Sequence, residues 1–422
     1  MKGRRIIMVV LCIALALSFT MMATACGGGG DAATEEPAAE EPAAEEPAAE
    51  EPAAEEPAAE EAATGEVQTK TIGVYADAAD SYYSLMNDAL TALADQDPEC
   101  DWTIEYKVGQ STAEEQLKAV EDFITAGYDA IVVVQNNPNT TSECIEKCKA
   151  AGIPYFGAVH YFGGVANAGD SAGSTNFDFV QCGVVAGEDA LANDVKNVII
   201  IEGVLGQGTA SDQSLGFLQA YENAGKSLGE KADGSKWTAE EIATDKPPVG
   251  DIKGSPDVVV VQWSTGGWMA EPAQKEMSNA ISSLGKDGWD GAYVQNDPMG
   301  EGAMQAMTDA GLSTDDYWLG LCNGREYSWQ WAKDGTISMD VNQPPTMEGA
   351  ILYQQIKAYF AGTEYRKHVH PYVIPYNKEN IAELEPTLIP IENVENFISK
   401  INDNSIVWDL NDPKFVDAEG NW

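Results

Sequence analysis

Residues 130–134 read Ala-Ile-Val-Val-Val, an apolar run with no polar face. A strand with one face in water alternates apolar and polar residues. An uninterrupted run indicates a strand covered on both sides, as in a parallel sheet flanked by helices. Short apolar strands are also expected at Thr71–Tyr75, Trp102–Val108, Ile153–Val159, Val198–Glu202, Asp257–Gln262 and Gly291–Val294. Between them, helical periodicity runs through Tyr82–Leu93, Ala113–Thr125, Cys144–Ala151, Ser211–Ala224 and Pro272–Leu284. This alternation predicts an α/β fold of doubly wound parallel sheets. The roughly 350 residues after residue 69 exceed what one core usually serves, so two lobes are expected.

The first 69 residues cannot join such a core. A basic start (Lys2, Arg4, Arg5) precedes an apolar run from Ile6 to Phe19, then Ala23-Thr24-Ala25 and Cys26. That order is a secretory signal peptide over residues 1–25. The small residues ending at Cys26 resemble the lipobox of bacterial lipoproteins, which implies that Cys26 is acylated and becomes the first mature residue. The apolar run falls short of the about 20 residues of a membrane span. Residues 26–69 form an acidic stalk built on Glu-Glu-Pro-Ala-Ala repeats. A proline every five residues prevents helix, and an extended spacer of about 3 Å per residue is expected instead. The resulting picture is a monomer on the outer face of the cytoplasmic membrane, held by lipid alone.

Charge narrows the partners. Residues 31–66 hold 14 acids and residues 2–5 three bases, which leaves 54 acids against 21 bases in the remainder. Such a surface repels nucleic acid and anionic lipid, so neither is expected as a partner. Cys100, Cys144, Cys148, Cys182 and Cys322 contain no CxxC, and Cys144 and Cys148 are read as buried thiols. His368 and His370 lie on one face of an extended segment and could bind a metal, but an incidental pair is the preferred reading. No Gly-x-Ser-x-Gly elbow, Walker loop or His-Glu-x-x-His motif occurs, so no enzyme, metal or cofactor is expected.

Several segments then carry a family resemblance. Glu121-Asp-Phe-Ile-Thr-Ala-Gly-Tyr-Asp129-Ala-Ile-Val-Val and Ala151-Gly-Ile-Pro154 are similar to the first lobe of type 1 periplasmic binding proteins of the ribose and galactose class. Gln295-Asn-Asp-Pro-Met-Gly-Glu-Gly302 resembles that family's Asn-Asp-x-Met-Ala-x-Gly-Ala signature, and Asn342-Gln343-Pro344 its late hinge segment. The pieces fall in the family's order over roughly residues 70–400. The resemblance implies two lobes joined by a three-segment hinge, placed near Gly173–Phe179, Asn342–Pro344 and Pro375–Lys378. Residues 70–174 with 343–375 would form the first lobe, and 175–342 with 376–422 the second. Ligand would lie in the cleft, where open parallel sheets present the carboxyl ends of their strands.

By the same resemblance, Tyr82 and Tyr83 stack on a sugar face and Trp268 is the aromatic of the second lobe, since a flat ring covers the apolar face of a pyranose. Asn296 and Asp297 follow a strand at its carboxyl end and can bond hydroxyls. Asn323, Gln213 and Gln343 are further carry-overs, and Asp77 and Asp80 occupy the loop after the first strand. Where many sugar binders of this class have Asp-Arg, this chain has Val159-His160, and Gln213 stands where another arginine is expected. The resemblance implies a solute receptor that delivers a sugar or sugar derivative to the permease of an ABC importer. A nucleoside, a signalling molecule or a cation held by the aromatics near Asp77, Asp80 and Asp297 stays open, as does a sensory co-receptor role. Poor binding of free ribose is expected from the missing guanidinium forks.

Overall fold

The computed structural model describes residues 67–110, 112–135, 138–160, 170–391 and 393–403. Cys26, the signal peptide and the stalk up to residue 66 lie outside the described residues.

The first half comprises β1 (Gln68–Ala76), α1 (Ser81–Gln96), β2 (Cys100–Val108), α2 (Ala113–Ala126), β3 (Ala130–Val134), α3 (Pro138–Ala151), β4 (Tyr155–Ala158) and β5 (Gly173–Thr175). β1 starts inside the expected stalk, because Gln68 and Thr69 already pair with Cys100 and Asp101 of β2. All five residues of β3 are fully buried. Their side chains alternate between two cores, as strand geometry requires. Ile131 and Val133 pack with Val120, Phe123 and Cys148 of α2 and α3. Ala130, Val132 and Val134 face the core that holds Met86 and Leu90 of α1. Burial pushes the Cys144 thiol up to about 11 and the Cys148 thiol to about 12, as inert core cysteines.

The chain then continues through α4 (Phe179–Ala192), β6 (Asn197–Glu202), α5 (Gly208–Asn223), α6 (Ala239–Asp245), β7 (Val259–Thr265), α7 (Ala270–Leu284), β8 (Gly291–Val294), α8 (Asp297–Asp309), β9 (Trp318–Gly320), α9 (Glu326–Asp334) and β10 (Asp340–Asn342). It ends with α10 (Pro345–Ala361), β11 (His368–Val369), β12 (Ile374–Tyr376), α11 (Ile381–Leu384) and α12 (Val394–Asn402). The first sheet runs β11-β5-β4-β3-β1-β2 and the second β7-β6-β8-β9, while β10 and β12 form a two-stranded ribbon. Every pairing in the two larger sheets is parallel, and the ribbon is antiparallel. Ile199 and Ile201 of β6 face α7 and α8, and Val198 and Ile200 face α4 and α5. Two doubly wound parallel sheets are therefore present. Among the described residues, no helix is long and apolar enough to cross a membrane.

The chain crosses between the two sheets at residues 176–178, 343–344 and 370–373. The third crossing precedes the expected Pro375–Lys378, since Pro375 pairs opposite Val341 inside the ribbon. A two-stranded ribbon is all edge, where proline is tolerated. His368 and His370 brace this passage: His368 Nδ1 lies 2.9 Å from Ser174 Oγ, and His370 Nδ1 lies 2.9 Å from the Asn176 carbonyl oxygen. A second difference concerns residues 376–422. Ile381 and Leu388 pack with the second sheet, but Phe397 and Ile398 of α12 pack with Ala89 and Leu93 of α1. Val394, Phe397, Ile398 and Ile401 form one apolar stripe, and α1 supplies its cover.

Helices α4 and α5 approach until their backbones nearly touch. A Cβ on Gly183 would lie 2.0 Å from the Gln213 carbonyl oxygen, and one on Gly216 would lie 1.9 Å from that of Val180. Gly216→Ala should therefore push the helices apart and cost about 1–3 kcal/mol. Denaturant unfolding of purified protein checks this, and an unchanged midpoint would contradict the close approach.

Candidate functional site

The carboxyl ends of the strands in both sheets meet around a cavity of about 110 Å³. A single water needs about 10–15 Å³ of such volume, so the space has room for a small solute. The turn after β1 contributes Asp80, Ser81, Tyr82 and Tyr83, and the turn after β4 contributes Val159 and His160. From the second sheet come Thr209 and Gln213 of α5, Trp268, and the Gln295-Asn296-Pro298 turn. The loop after β9 adds Asn323 and Arg325, while Phe179 and Gln343 enter from the crossings.

The aromatic wall is held from behind. Asp80 caps α1, its Oδ1 accepting from the Tyr82 N–H at 2.7 Å. Tyr83 meets His160 edge to face, with its hydroxyl 3.0 Å from Nε2. Opposite them, Trp268 lies flat on Gly203, where a Cβ would fall 2.0 Å from the indole. Its Nε1 donates to Gln207 Oε1 at 2.7 Å. Gln295 fixes this loop, accepting from the Gly203 N–H at 3.0 Å and donating to the Ala210 carbonyl at 2.8 Å.

Three cavity residues hold backbone conformations that side chains rarely adopt: Val159 at φ 66°, Trp268 at φ 62° and Asn323 at φ 103°. A β-branched residue there is a true outlier, and such strain concentrates at ligand sites.

Of the eleven residues expected in the site, nine line the cavity: Asp80, Tyr82, Tyr83, His160, Gln213, Trp268, Asn296, Asn323 and Gln343. Asp77 and Asp297 do not. Asp77 is buried beside the Tyr83 hydroxyl. Asp297 is fully buried, accepts from the Arg325 N–H at 2.7 Å and faces Asp340. Burial and the Asp340 charge push its carboxyl well above the usual range. Asn296 is largely committed to structure, capping α8 through the Met299 N–H and donating to the Trp268 carbonyl. Gln213 accepts from the Tyr293 hydroxyl at 2.9 Å.

Sequence reasoning missed Ser81, Phe179, Thr209, Gln295, Pro298 and, above all, Arg325. Arg325 had a compositional signal. The chain has four arginines, and only Arg325 and Arg366 follow the stalk. The guanidinium absent at Val159-His160 and at Gln213 thus enters the cavity from a different loop. Its presence, with only Asp80 among the three expected acids at the wall, weighs against a cationic ligand.

Burial lowers the His160 imidazole from 6.5 to about 4, against a small opposing pull from Asp80. The ring is therefore neutral at physiological pH. The unfolded chain takes up this proton first as pH falls, so the associated stability is present above about pH 6.5 and is lost toward pH 4. Relative to His160→Gln, the wild type should lose stability across that window. Denaturant unfolding at several pH values measures the difference, and parallel pH profiles would contradict it.

Residues 72–364 match a family model described as the periplasmic binding protein domain. The xylitol-binding protein of Mycolicibacterium smegmatis is 28% identical over 199 residues, which cover 46% of each protein, so the chain matches less than half the length of that relative. Galactofuranose-binding protein YtfQ of Escherichia coli is 24% identical over 254 residues, 58% of this chain and 69% of the relative. Among solved structures, an ABC transporter solute binding protein from Bacillus halodurans with bound myo-inositol superposes with a TM-score of 0.61 at 23% identity, covering 76% of this chain and 99% of that one. A galactofuranose binding protein gives 0.60 at 20% identity, with 74% and 96% covered. These structures establish a shared fold, and with the family model spanning both sheets, the chain belongs to the periplasmic binding protein family.

Proposed function

We propose that this chain is a lipid-anchored, extracytoplasmic receptor that captures a neutral sugar or polyol and hands it to an ABC importer. The observation that carries the reading is the cavity wall. Tyr82, Tyr83, Phe179 and Trp268 supply flat apolar surface, and Gln213, Asn323, Gln343 and Arg325 supply hydrogen-bonding groups. This combination suits a polyhydroxylated ring or chain, whose C–H edges stack while its hydroxyls bond. A volume of about 110 Å³ suits a small solute.

The relatives bind xylitol and galactofuranose by name, and a third, the fructose import binding protein FruE of Bifidobacterium longum, is 23% identical over 312 residues. Its name favours import over sensing. Cys26, behind its small-residue prelude, supplies the anchor.

Calorimetry with xylitol, D-fructose, D-galactose and choline tests the ligand class. One of the three polyhydroxylated probes should bind and raise stability by about 2.7 kcal/mol at 100 times its Kd, and choline should not. Binding of choline alone would overturn the reading. Trp268→Ala should weaken that binding at least about tenfold, since its stacking area is lost outright, and more than His160→Ala does. An unchanged affinity would remove Trp268 from the pocket. Cys26→Ser should release the protein from membranes or leave it unprocessed. A variant that is processed and still membrane-bound would refute the anchor.

A further inference from the structure

Arg325 does more than line the cavity. Its Nη2 donates to Ser81 Oγ at 3.0 Å. Ser81 opens α1, on the first sheet, while Arg325 belongs to the loop after β9, on the second. The contact therefore spans the cleft, and it exists only while the two sheets are close.

The backbone beneath this side chain is clamped from every direction. The Arg325 N–H donates to Asp297 Oδ2 at 2.7 Å, and its carbonyl accepts from the Ser328 N–H at 2.9 Å. The preceding Gly324, at φ 72°, has its carbonyl held by Trp329 Nε1 and Asn342 Nδ2 at 2.9 and 3.1 Å. A Cβ there would lie 2.4 Å from the Asn342 Cα. A long side chain on so fixed a base reaches one place repeatedly, and a planar guanidinium loses less freedom per hydrogen bond than an ammonium.

We propose that Arg325 is the latch of the cleft: from the cavity wall it bonds Ser81 across the mouth, so that it sets how slowly a bound polyol leaves. This inference rests on the polyol-receptor reading above. A ligand that touches both walls of the cavity would favour the same closed arrangement that the Ser81 contact holds. Because a ligand shifts an equilibrium only by its differential affinity for the two states, a bond present in the closed state alone enters affinity directly.

A double-mutant cycle tests the latch. Arg325→Gln, Ser81→Ala and the double variant are compared with wild type for xylitol, D-fructose and D-galactose, using calorimetry for affinity and stopped flow for dissociation. Ser81→Ala should speed dissociation of the tightest probe by roughly three- to tenfold, the scale of one partly exposed charged hydrogen bond. Arg325→Gln should do more, because ligand contacts are also lost. The double variant should match Arg325→Gln, since Ser81 has nothing left to bond, and Arg325→Lys should recover part of the loss. The same substitutions should add independently in unfolding experiments on the ligand-free protein if the contact acts only on closure. Additive effects on dissociation, or a Ser81→Ala variant indistinguishable from wild type, would overturn the latch while leaving the receptor function standing. Failure of wild type to bind any of the three probes would overturn the receptor reading, and the latch with it.

Discussion

The buried carboxyl group of Asp340 accepts from Ser328 Oγ and the Tyr376 hydroxyl, both at 2.6 Å, while facing Asp297. Those partners come from β10, α9, β12 and the start of α8, so four segments of the second sheet's neighbourhood meet at one point. β10 and β12 are also where the chain leaves for the first sheet and returns from it. Burial raises both acids, with Asp340 pushed up to about 6 and Asp297 well beyond the carboxylate range. The two carboxyl groups therefore titrate as a pair rather than separately. Removing one member would leave its buried partners unsatisfied, the costly half of any buried polar contact. The ribbon, the Asn323–Arg325 loop and the second and third crossings take their relative positions from this cluster.

The strain at the cavity has a visible source of support. Val159 holds its left-handed backbone because its N–H donates to the Thr175 carbonyl at 3.0 Å and the His160 N–H donates to the Ala158 carbonyl at 2.8 Å. Asn323 is held by the Gln343 N–H, which donates to its carbonyl at 2.9 Å. Each outlier of this kind costs on the order of 1–3 kcal/mol. It persists because sheet-end hydrogen bonds over-determine the turn.

The fold was legible because its signals are local. The run Ala130–Val134 states double burial by itself, and Gly291–Val294 is buried throughout in the same way. The aromatic positions Tyr82, Tyr83 and Trp268 followed from family order, and all line the cavity. What escaped was set by tertiary contact. Asp297 reads as a ligand residue at a strand's end, yet Asp340, 43 positions later, turns it inward. Arg325 occupies no position where a sugar-binding arginine is expected, and only the folded loop brings it to Ser81. The amphipathic stripe of α12 states that it needs cover, but not that α1 provides it.

Charge bears on the neutral ligand proposed for a chain so acidic. The part after the stalk carries 54 acids against 21 bases, so small anions are repelled on approach within about a Debye length of 8 Å at physiological salt. Inside, that excess is not reproduced. Of the groups at the wall, Asp80 and Arg325 have opposite signs, and burial keeps His160 neutral. Glu348, buried behind Tyr82, is likewise pushed well above the usual range by its burial. An ion entering the cleft would surrender its hydration without meeting a net counter-charge, and desolvation of that kind is rarely repaid. A polyol surrenders only neutral hydrogen bonds, each replaceable by an amide or the guanidinium at nearly equal strength. On the proposed reading, the outer field filters by sign and the inner surface favours hydroxyls on an apolar frame.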